Sequence, residues 1–446
     1  MRNVEVSYFD MVVRTRNTLA PETVKSKRFS RCVTFQVTDG CNLNCSYCYQ
    51  ICKGKNYMSP ETGIKLVDYL YELYDKNEPD GFINQETQNI QLDFIGGEPF
   101  LNVATMEAVC DHFFKVGIMK RHPWVENCRI SISSNGTLYF KPEVQAFLKK
   151  YHNFISLNVT LDGPKDLHDA CRLDYDGNGS FDKAMAAVND YRKNFGKIDA
   201  TKVTISRENL PHLNKIIQFA KDNGFINIAA NTVAEEEWNI DDARLFYSEL
   251  KTIADNLLQE NEADVAITLF NSGDFRPQPT HYQENWCGGT GEMLAFDSNG
   301  IMYPCIRYME SSLGGDQPPL IVGNLEDGLY GTPEAQQIRK DFYSITRRSQ
   351  STDECFHCSI ASGCSWCSAW NYQKTGSSNK RATAICIMHQ ARSLANVYFW
   401  NNYYKKHCRE KRMPLYLDQK KAIDIVGEDE YNMLLDLTGD ENYANI

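Results

Sequence analysis

Long apolar runs are missing from the sequence. No stretch of the 446-residue chain reaches the roughly eighteen consecutive apolar residues that mark a membrane-spanning helix. The N-terminus, Met1–Asn17, also lacks the long apolar centre of a secretory signal. We therefore expect a cytoplasmic protein that works without a membrane partner.

Positive charge is in deficit as well. The chain carries 47 Lys and Arg against 58 Asp and Glu, which gives a net charge of −11. Because binding to a nucleic-acid backbone requires dense Lys and Arg, we expect no nucleic-acid partner. The length is sufficient for two or three domains.

Cysteine is too scarce for a disulfide scaffold. The 16 Cys residues stay well below the ~8–10% of a small disulfide-rich domain. In a reducing compartment, a chain with this many thiols favours metal or redox chemistry. Five of them are isolated and are interpreted as small buried apolar side chains: Cys32, Cys110, Cys128, Cys171 and Cys408.

Six short β-branched runs alternate with helical patterns in the first half of the chain. The runs are Cys32–Val37, Ile90–Ile95, Arg129–Ser133, Ser156–Leu161, Lys202–Ile205 and Ile226–Ala230. The helical segments are Ser59–Tyr74 with Ser59 as N-cap, Ala104–Val116, Lys141–Tyr151, Ser180–Asn194 and Leu210–Asn223. The alternation predicts an α/β fold with a parallel sheet. Six units are fewer than the eight of a closed barrel, so we predict an open, partial (β/α)6 barrel.

Residues with distinctive chemistry follow directly after the predicted strands. Such loops, at the carboxyl ends of parallel strands, carry ligand sites in this architecture. In chain order they are Cys41, Gly96-Gly97-Glu98-Pro99, Ser134-Asn135-Gly136, Asp162-Gly163-Pro164 and Ser206.

The first of these loops holds three closely spaced thiols, Cys41, Cys45 and Cys48, which we call the first thiol group. Structural zinc sites use four ligands in paired spacing, which three thiols on one tight loop fit poorly. A cubane iron–sulfur cluster with three Cys ligands and one open iron fits better. Cys52 is an alternative fourth ligand, although we expect it to lie beyond the loop.

The first thiol group, with Tyr47 before its third Cys, resembles the motif of the radical S-adenosylmethionine (radical SAM) family. In that family the open iron chelates SAM, and reductive cleavage yields a 5′-deoxyadenosyl radical. The segment Gly96-Gly97-Glu98-Pro99 is similar to the family segment that holds the SAM amino group. A glycine pair lets the main chain approach a ligand closely, and Glu98 can accept from an ammonium.

The block after the fourth strand, Asp162-Gly163-Pro164 with His168, Asp169 and Arg172, is also similar to this family. The resemblance implies a contact from Arg172 to the SAM carboxylate or ribose, and the alternative is a solvated helix charge. Further candidates for SAM contacts have ordinary turn chemistry as their alternative: Ser134, Asn135, Thr160 and Ser206.

The later thiols resemble the SPASM extension of peptide-modifying radical SAM enzymes, which carries two auxiliary [4Fe–4S] clusters. By this resemblance the outer cluster takes the outer thiol group, Cys355, Cys358, Cys364 and Cys386. The inner cluster takes the inner thiol group, Cys287, Cys305 and Cys367.

Two departures and one alternative accompany this assignment. Cys364 and Cys367 are spaced CxxC where the family usually has CxxxC. The inner group has only three thiols, so we hypothesise that a substrate Cys thiolate fills the fourth position. The alternative is a zinc ribbon on Cys355, Cys358, Cys364 and Cys367, which would leave the remaining thiols unexplained.

The hairpin that ends at Cys305 bears on the reaction. Asn299-Gly300 predicts a type I′ turn there. Sulfatase maturases place an Asp after the Cys at the hairpin end, but this chain has Ile306 followed by Arg307, a candidate substrate contact. We therefore disfavour formylglycine formation.

Other segments resemble radical SAM maturases of Cys-rich ribosomal peptides: Leu92–Pro99, Arg129–Thr137 and Ile385–Lys406. This resemblance implies an enzyme that joins a Cys sulfur to a carbon as a thioether. The alternatives are sulfatase maturation, a carbon–carbon crosslink, epimerisation or, from another class, a non-catalytic zinc-binding interaction protein.

The resemblance also implies partners and boundaries. We expect SAM, three [4Fe–4S] clusters, a Cys-containing precursor peptide and a small redox protein as electron donor. Forty residues precede Cys41, too few for the leader-recognition domain of many such maturases, so a separate leader-binding protein is a candidate partner. The run Glu235-Glu236-Glu237 is interpreted as a solvated face. The expected domains are 1–30 (extension), 31–235 (partial barrel), 236–280 (helical linker), 281–410 (SPASM) and 411–446 (tail).

Overall fold

The computed structural model describes residues 29–439 apart from 197, 199, 261–265 and 284–286. Most of the predicted N-terminal extension and the last seven residues of the tail therefore lie outside the described residues. The nine strands of the described part are β1 Phe29–Gln36, β2 Thr87–Ile95, β3 Cys128–Ser134, β4 Ile155–Val159, β5 Ala200–Ile205, β6 Asn227–Thr232, β7 Ala266–Ile267, β8 Met293–Phe296 and β9 Met302–Tyr303.

The helices fall between these strands and after them. They are α1 Pro60–Lys76, α2 Val103–Met119, α3 Pro142–Tyr151, α4 Lys165–Cys171, α5 Phe181–Asn194, α6 Leu213–Asp222, α7 Ile240–Glu260, α8 Glu310–Leu313, α9 Pro333–Tyr343, α10 Arg347–Gln350, α11 Asp353–Phe356, α12 Ser368–Thr375, α13 Cys386–Lys406, α14 Gln419–Val426 and α15 Glu428–Thr438.

The six predicted strands all form, and they pair in parallel wherever they are hydrogen-bonded. One sheet has the order β4-β3-β2-β1-β8-β9, and a second has the order β5-β6-β7. In the series from β1 to β6, each strand is hydrogen-bonded to the next except that β4 is not hydrogen-bonded to β5. The predicted α/β class with a parallel sheet is thus confirmed, and the open barrel consists of two hydrogen-bonded parts.

Helix α1 shows how local sequence signals build these units. The Ser59 hydroxyl accepts a hydrogen bond from the N–H of Thr62 at 3.0 Å, and Pro60 occupies the first turn. At the other end, Asn77 adopts a left-handed conformation with φ 49° and closes the helix. The buried face of α1 includes Leu66 and Leu70, which belong to the hydrophobic core that also contains the sheet residues.

The Cys-rich segment is joined to the barrel by main-chain hydrogen bonds. Strand β8 pairs in parallel with β1, with Cys32 opposite Met293 and Phe35 opposite Phe296. The two phenyl rings lie 5.2 Å apart in the core. The hairpin that leads to the inner thiol group therefore extends the sheet that begins with β1.

The predicted type I′ turn in this hairpin is wrong. Gly300 has φ 80°, but Asn299 does not share the positive φ that type I′ requires at both central residues. The Asp297 carboxylate accepts from the N–H groups of Asn299 (2.8 Å) and Ile301 (3.0 Å). These bonds favour a longer loop with one left-handed residue at Gly300.

The segment predicted as a helical linker contains both helix α7 and strand β7. Strand β7 pairs in parallel with β6, so the α/β alternation continues through this part of the chain. Helix α13 packs against α7, where the Tyr398 hydroxyl donates to Asp255 at 2.5 Å. Aromatic residues of α13 also reach the core, where the ring centres of Phe399 and Phe270 lie 4.8 Å apart. In the described part of the chain, no helix has the length and apolarity to span a membrane.

Gly300 tests how the hairpin is fixed. A Cβ there would lie 3.2 Å from Leu325 Cδ1 and 3.3 Å from Thr62 Cγ2, whereas a Cβ at Gly177, with a similar φ of 81°, would meet open space. Gly177→Ala should lower the free energy of unfolding by about 1 kcal/mol, because an L-residue disfavours this conformation. Gly300→Ala should cost more, since Leu325 and Thr62 must also yield. Urea unfolding compares the two variants, and equal losses would contradict the packed hairpin.

Candidate active site

The loop of the first thiol group is packed against the turn after β2. The N–H of Gly97 donates to the carbonyl of Thr38 (3.1 Å), and the N–H of Glu98 donates to that of Gly40 (2.9 Å). A Cβ at Gly97 would lie 2.3 Å from the Gly40 carbonyl oxygen and 2.6 Å from Cys41 Cβ. Only glycine permits this approach, so Gly97 determines where Cys41 lies.

The three thiols of this loop are free and partly buried. Burial raises the pKa of Cys41 to about 11, with the neighbouring Cys45 adding to the rise. The far side of the loop is held by the N–H of Ser46, which donates to the carbonyl of Cys171 at 3.0 Å. Cys52 is exposed, and its N–H donates to the carbonyl of Ser311 (3.2 Å), so the structure places it beyond this loop.

Glu98 is fully buried, and its carboxylate joins the loop after β2 to the loop after β3. Its carboxylate accepts from the N–H of Phe100 (3.1 Å), the hydroxyl of Ser134 (2.8 Å) and the N–H of Asn135 (2.8 Å). Burial raises the pKa of Glu98, and these donors act against that rise. A carboxylate has about four acceptor positions, so Glu98 retains capacity for one further donor.

Asn135 and Thr160 connect this network to the neighbouring loops. The Asn135 amide donates to Asn42 Oδ1 at 2.9 Å, on the first thiol loop. The N–H of Thr160 donates to the carbonyl of Ser134 at 3.2 Å. Ser206 instead caps its own turn with Asn209, whose side-chain oxygen accepts from the Ser206 N–H at 2.9 Å. For Ser206 the structure therefore shows ordinary turn chemistry.

Tyr47, Asp162 and Arg172 form a buried triad. The Tyr47 hydroxyl donates to Asp162, and Arg172 Nη1 donates to the Tyr47 oxygen at 2.7 Å. Arg172 is 7% exposed and lies 3.6 Å from the Asp162 carboxylate, so the solvated alternative for Arg172 is wrong. Asp162 Oδ1 and Arg172 Nε are buried without a hydrogen-bond partner. An unpaired acceptor beside an unpaired donor fits a polar ligand that supplies both groups.

His168 supports the triad from behind. Its Nδ1 accepts from the N–H of Asp162 at 3.3 Å, and its Nε2 is 3.0 Å from the Ser180 hydroxyl. Burial, with a contribution from Arg172, lowers the pKa of His168 to about 3, so the ring is neutral. The Asp169 carboxylate accepts from the N–H of Phe181 at 2.9 Å and anchors the start of α5. Both residues position the triad.

The inner thiols come together from three places in the chain: before β8, after β9 and directly before α12. A Cβ at Gly289 would lie 3.3 Å from Cys305 Sγ and 3.6 Å from Cys287 Sγ. Cys367 lies at the N-cap of α12, and the next residue, Ser368, has its hydroxyl 3.3 Å from Cys287 Sγ. Burial raises the pKa of Cys305 to about 12, and the Cys367 and Cys287 thiols add to this rise.

The outer thiols form a second group. Burial raises the pKa of Cys364 to about 11, with Cys386, Cys358 and Cys355 adding to it. The zinc-ribbon alternative needs Cys367 in this group, whereas the structure places it with the inner thiols. Among the described residues, no three Cys, His, Asp or Glu side chains converge on a single metal ion.

Arg307 lies between the first and inner thiol groups. Its guanidinium donates to the Glu235 carboxylate and lies 5.4 Å from the centre of the Tyr49 ring. The pKa of Tyr49 is raised, first by burial and then by Cys48, with a further contribution from Cys305. Glu235 is exposed, as the interpretation of the acidic run as a solvated face implies, and it also pairs with Arg307, a partner distant in sequence.

Residues 35–220 match the family model described as "Radical SAM superfamily". This segment is a radical SAM domain. The predicted family is thereby confirmed for residues 35–220, and enzymes with this domain use SAM and a [4Fe–4S] cluster.

Relatives in sequence include a radical SAM synthase and sulfatase-maturating enzymes. A radical SAM cyclopropyl synthase from Paramaledivibacter caminithermalis is 24% identical over 360 residues, which is 75% of this chain and 67% of the relative. A cysteine-type anaerobic sulfatase-maturating enzyme from Clostridium novyi is 30% identical over 193 residues, 42% of this chain and 47% of the relative. The chain thus aligns with about half the length of this sulfatase-maturating relative.

Solved structures confirm the fold. Native anSMEcpe with bound AdoMet superposes with a TM-score of 0.61 at 19% identity, covering 85% of this chain and 99% of that one. Streptococcus suis SuiB bound to the precursor peptide SuiA gives a TM-score of 0.51 at 15% identity, covering 84% and 78%. The similarity extends beyond the radical SAM domain into the Cys-rich part, which is compatible with a SPASM domain.

The radical SAM domain has a set of groups that fits an iron–sulfur cluster and SAM. Three free thiols share one loop, Gly97 allows that loop to pack closely, and the triad presents an unpaired donor and acceptor. This combination of donors is consistent with an iron–sulfur cluster and with the polar groups of SAM.

The Tyr47 hydroxyl is testable through stability. Tyr47→Phe removes the group that bridges Asp162 and Arg172, so it should lower the free energy of unfolding by about 1–3 kcal/mol. Tyr175→Phe is the control, because Tyr175 is 62% exposed. Denaturant unfolding of the chain without cofactors would show equal stability for both variants if the triad were unimportant.

Gly97 is testable through metal content. Gly97→Ala should displace Cys41 and reduce bound iron by about four atoms per chain after anaerobic reconstitution, while circular dichroism stays unchanged. Gly273→Ala, at an exposed position, should retain all the iron. Full iron content in Gly97→Ala would show that the close approach does not determine the geometry of the first thiol group.

Proposed function

We propose that the chain is a radical SAM peptide maturase that joins a Cys sulfur to a carbon of a ribosomally made precursor peptide. The observation that carries this proposal is the inner thiol group, which offers three thiols, Cys287, Cys305 and Cys367, to a cluster of four irons. A substrate Cys is a chemically suitable fourth ligand. The peptides in the structures of anSMEcpe with Cp18Cys and of SuiB with SuiA support a peptide substrate.

The first thiol group would hold the SAM-binding cluster in this proposal. When bound, this cluster and SAM supply a 5′-deoxyadenosyl radical that abstracts hydrogen from the substrate. The residues around the site would bind and orient SAM. They are Tyr47, Gly96, Gly97, Glu98, Ser134, Asn135, Thr160, Asp162, Arg172 and Ser206.

Each part of the network has a distinct task in binding SAM. Glu98 has acceptor capacity left for the SAM ammonium. Arg172 Nε and Asp162 Oδ1, both buried and unpaired, would donate to a carboxylate or ribose oxygen and accept from a ribose hydroxyl. Tyr47 keeps these two charged groups at a fixed separation. Ser206 contributes through the shape of its turn, because Asn209 occupies its main-chain donor.

Arg307 would stabilise the substrate thiolate at the inner thiol group. Closing a carbon–sulfur bond removes one hydrogen atom from the carbon, one proton from the thiol and one electron. A thiol that coordinates a metal loses its proton readily, and the Arg307 guanidinium, two residues from Cys305, stabilises the resulting negative charge. Glu235 holds Arg307 in place from the loop after β6.

The outer thiols would hold a second auxiliary cluster, for a total of three with the first and inner sites. A small redox protein would supply electrons, and leader binding would use another surface or a separate protein. A carbon–carbon crosslink is the second candidate reaction, because the relative aligned over 75% of this chain is named a cyclopropyl synthase. The Ile306 position continues to disfavour a formylglycine product.

Co-expression with Cys-rich candidate peptides, followed by tandem mass spectrometry, tests the proposal. The product should be lighter by two hydrogens and should lose one alkylatable thiol. A carbon–carbon crosslink would lose the hydrogens but retain every thiol, and epimerisation would change neither quantity.

Two variants control this experiment. Cys41→Ala should abolish both the product and SAM cleavage, because it removes a ligand of the first site. Cys52→Ala should preserve both, since Cys52 is exposed and lies beyond the loop. Deoxyadenosine production by Cys41→Ala at the wild-type rate would contradict the assignment of the first thiol group.

A further inference from the structure

Arg347 is buried beside the outer thiols without an acidic partner. It is 7% exposed, and its guanidinium donates to four neutral main-chain carbonyls, those of Tyr282 (3.0 Å), Phe356 (2.8 Å), Pro279 (3.3 Å) and Gln278 (3.4 Å). In the described part of the chain, no carboxylate lies within 4.0 Å of this guanidinium. A buried cation without a counter-charge is unfavourable, so this position calls for an anion.

Arg381 faces the same place from another segment. It lines a cavity of about 200 Å³ together with Cys355, Cys364 and Arg347. Its Nε is buried without a hydrogen-bond partner, and its guanidinium lies 5.6 Å from the centre of the Trp366 ring. Two guanidinium groups therefore converge on one cavity whose wall carries two of the outer thiols.

These cations and the outer thiols interact electrostatically. The pKa of Arg347 is lowered, chiefly by burial and also by Arg381, while Cys358 acts in the opposite direction. Arg381 likewise opposes the burial that raises the pKa of Cys364. Like charges that approach each other in a buried cavity indicate that negative charge is expected there.

Two more cations near the outer thiols already have partners. Arg392 pairs with Asp274 at 3.1 Å, and Lys421 pairs with Glu354 at 2.7 Å. Their charges are offset locally, so Arg347 and Arg381 supply the positive excess.

The inner thiols have a different environment. The cation that faces them is Arg307, whose effect on Cys305 and Cys367 is favourable to a thiolate. The Arg307 charge, however, is offset by Glu235. The two thiol groups therefore differ in uncompensated positive charge, and the excess is on the outer side.

We infer that Arg347 and Arg381 are counter-charges for an anionic iron–sulfur cluster at the outer thiols and raise its reduction potential above that of the inner site. This inference rests on the proposed clusters. An added electron increases negative charge, and buried cations nearby stabilise it. The difference directs one electron from the inner site, which is oxidised, to the outer site, which is reduced. A flavin or iron–sulfur carrier protein is the class of final acceptor.

A redox titration tests the inference without measuring activity. The full-length chain with Cys41, Cys45 and Cys48 replaced by Ala is reconstituted anaerobically, and the two remaining sites are titrated by electron paramagnetic resonance. Arg381→Gln should lower the equilibrium constant for reduction of the outer site about tenfold, which is about 59 mV for a one-electron couple. The inner site serves as an internal reference.

Two variants separate charge from structure. Arg381→Lys preserves the charge and should keep most of the potential. Arg348→Gln is the matched control on the same short helix as Arg347, because Arg348 is about half-exposed and pairs with Asp353. It should leave both potentials unchanged.

Iron content distinguishes failure of the proposed clusters from failure of the proposed role of the arginines. Absence of iron at the outer thiols in the parent chain would overturn the proposed clusters themselves. With that iron present, an unchanged outer potential in Arg381→Gln, or an equal fall at both sites, would overturn the role of the arginines. A fall confined to the outer site, restored by Lys, supports it.

Discussion

The parallel pairing of β8 with β1 is the constraint on which the rest of the structure depends. Strand β1 leads into the loop of Cys41, and the hairpin that starts with β8 leads to Cys305. Because the two strands share a hydrogen-bonded ladder and the Phe35–Phe296 contact, the first and inner thiol groups are held by one sheet. Arg307, Tyr49 and Glu235 then occupy the space between them.

The burial of charged groups is the second constraint on the structure. The radical SAM site contains a buried Glu98 and a buried Arg172–Asp162 pair, each held by donors or acceptors from separate strand-end loops. Such groups are costly unless they are fully paired. The atoms left unpaired mark where a ligand would complete the network, and the arginines beside the outer thiols follow the same logic.

Much of this architecture could be predicted from sequence, because the relevant signals are local. The Ser59 cap, the alternation of strands and helices, and the thiol spacings all lie within short segments. The partners that could not be predicted are distant in sequence. Glu235 meets Arg307, Tyr47 meets Asp162, and β8 adds to β1 only after the chain has folded. The type I′ turn predicted from Asn299-Gly300 was wrong for a related reason. The Asp297 side chain reshapes the turn, and the dipeptide alone does not determine its conformation.

The central claim is that a substrate Cys completes the ligand set of the inner thiol group. The most direct measurement is electron paramagnetic resonance of the inner site, recorded with a Cys-containing precursor peptide and with the same peptide carrying Ser. We expect a spectral change with the Cys peptide and none with the Ser peptide. A spectrum that shows four protein ligands and is unchanged by either peptide would contradict the claim.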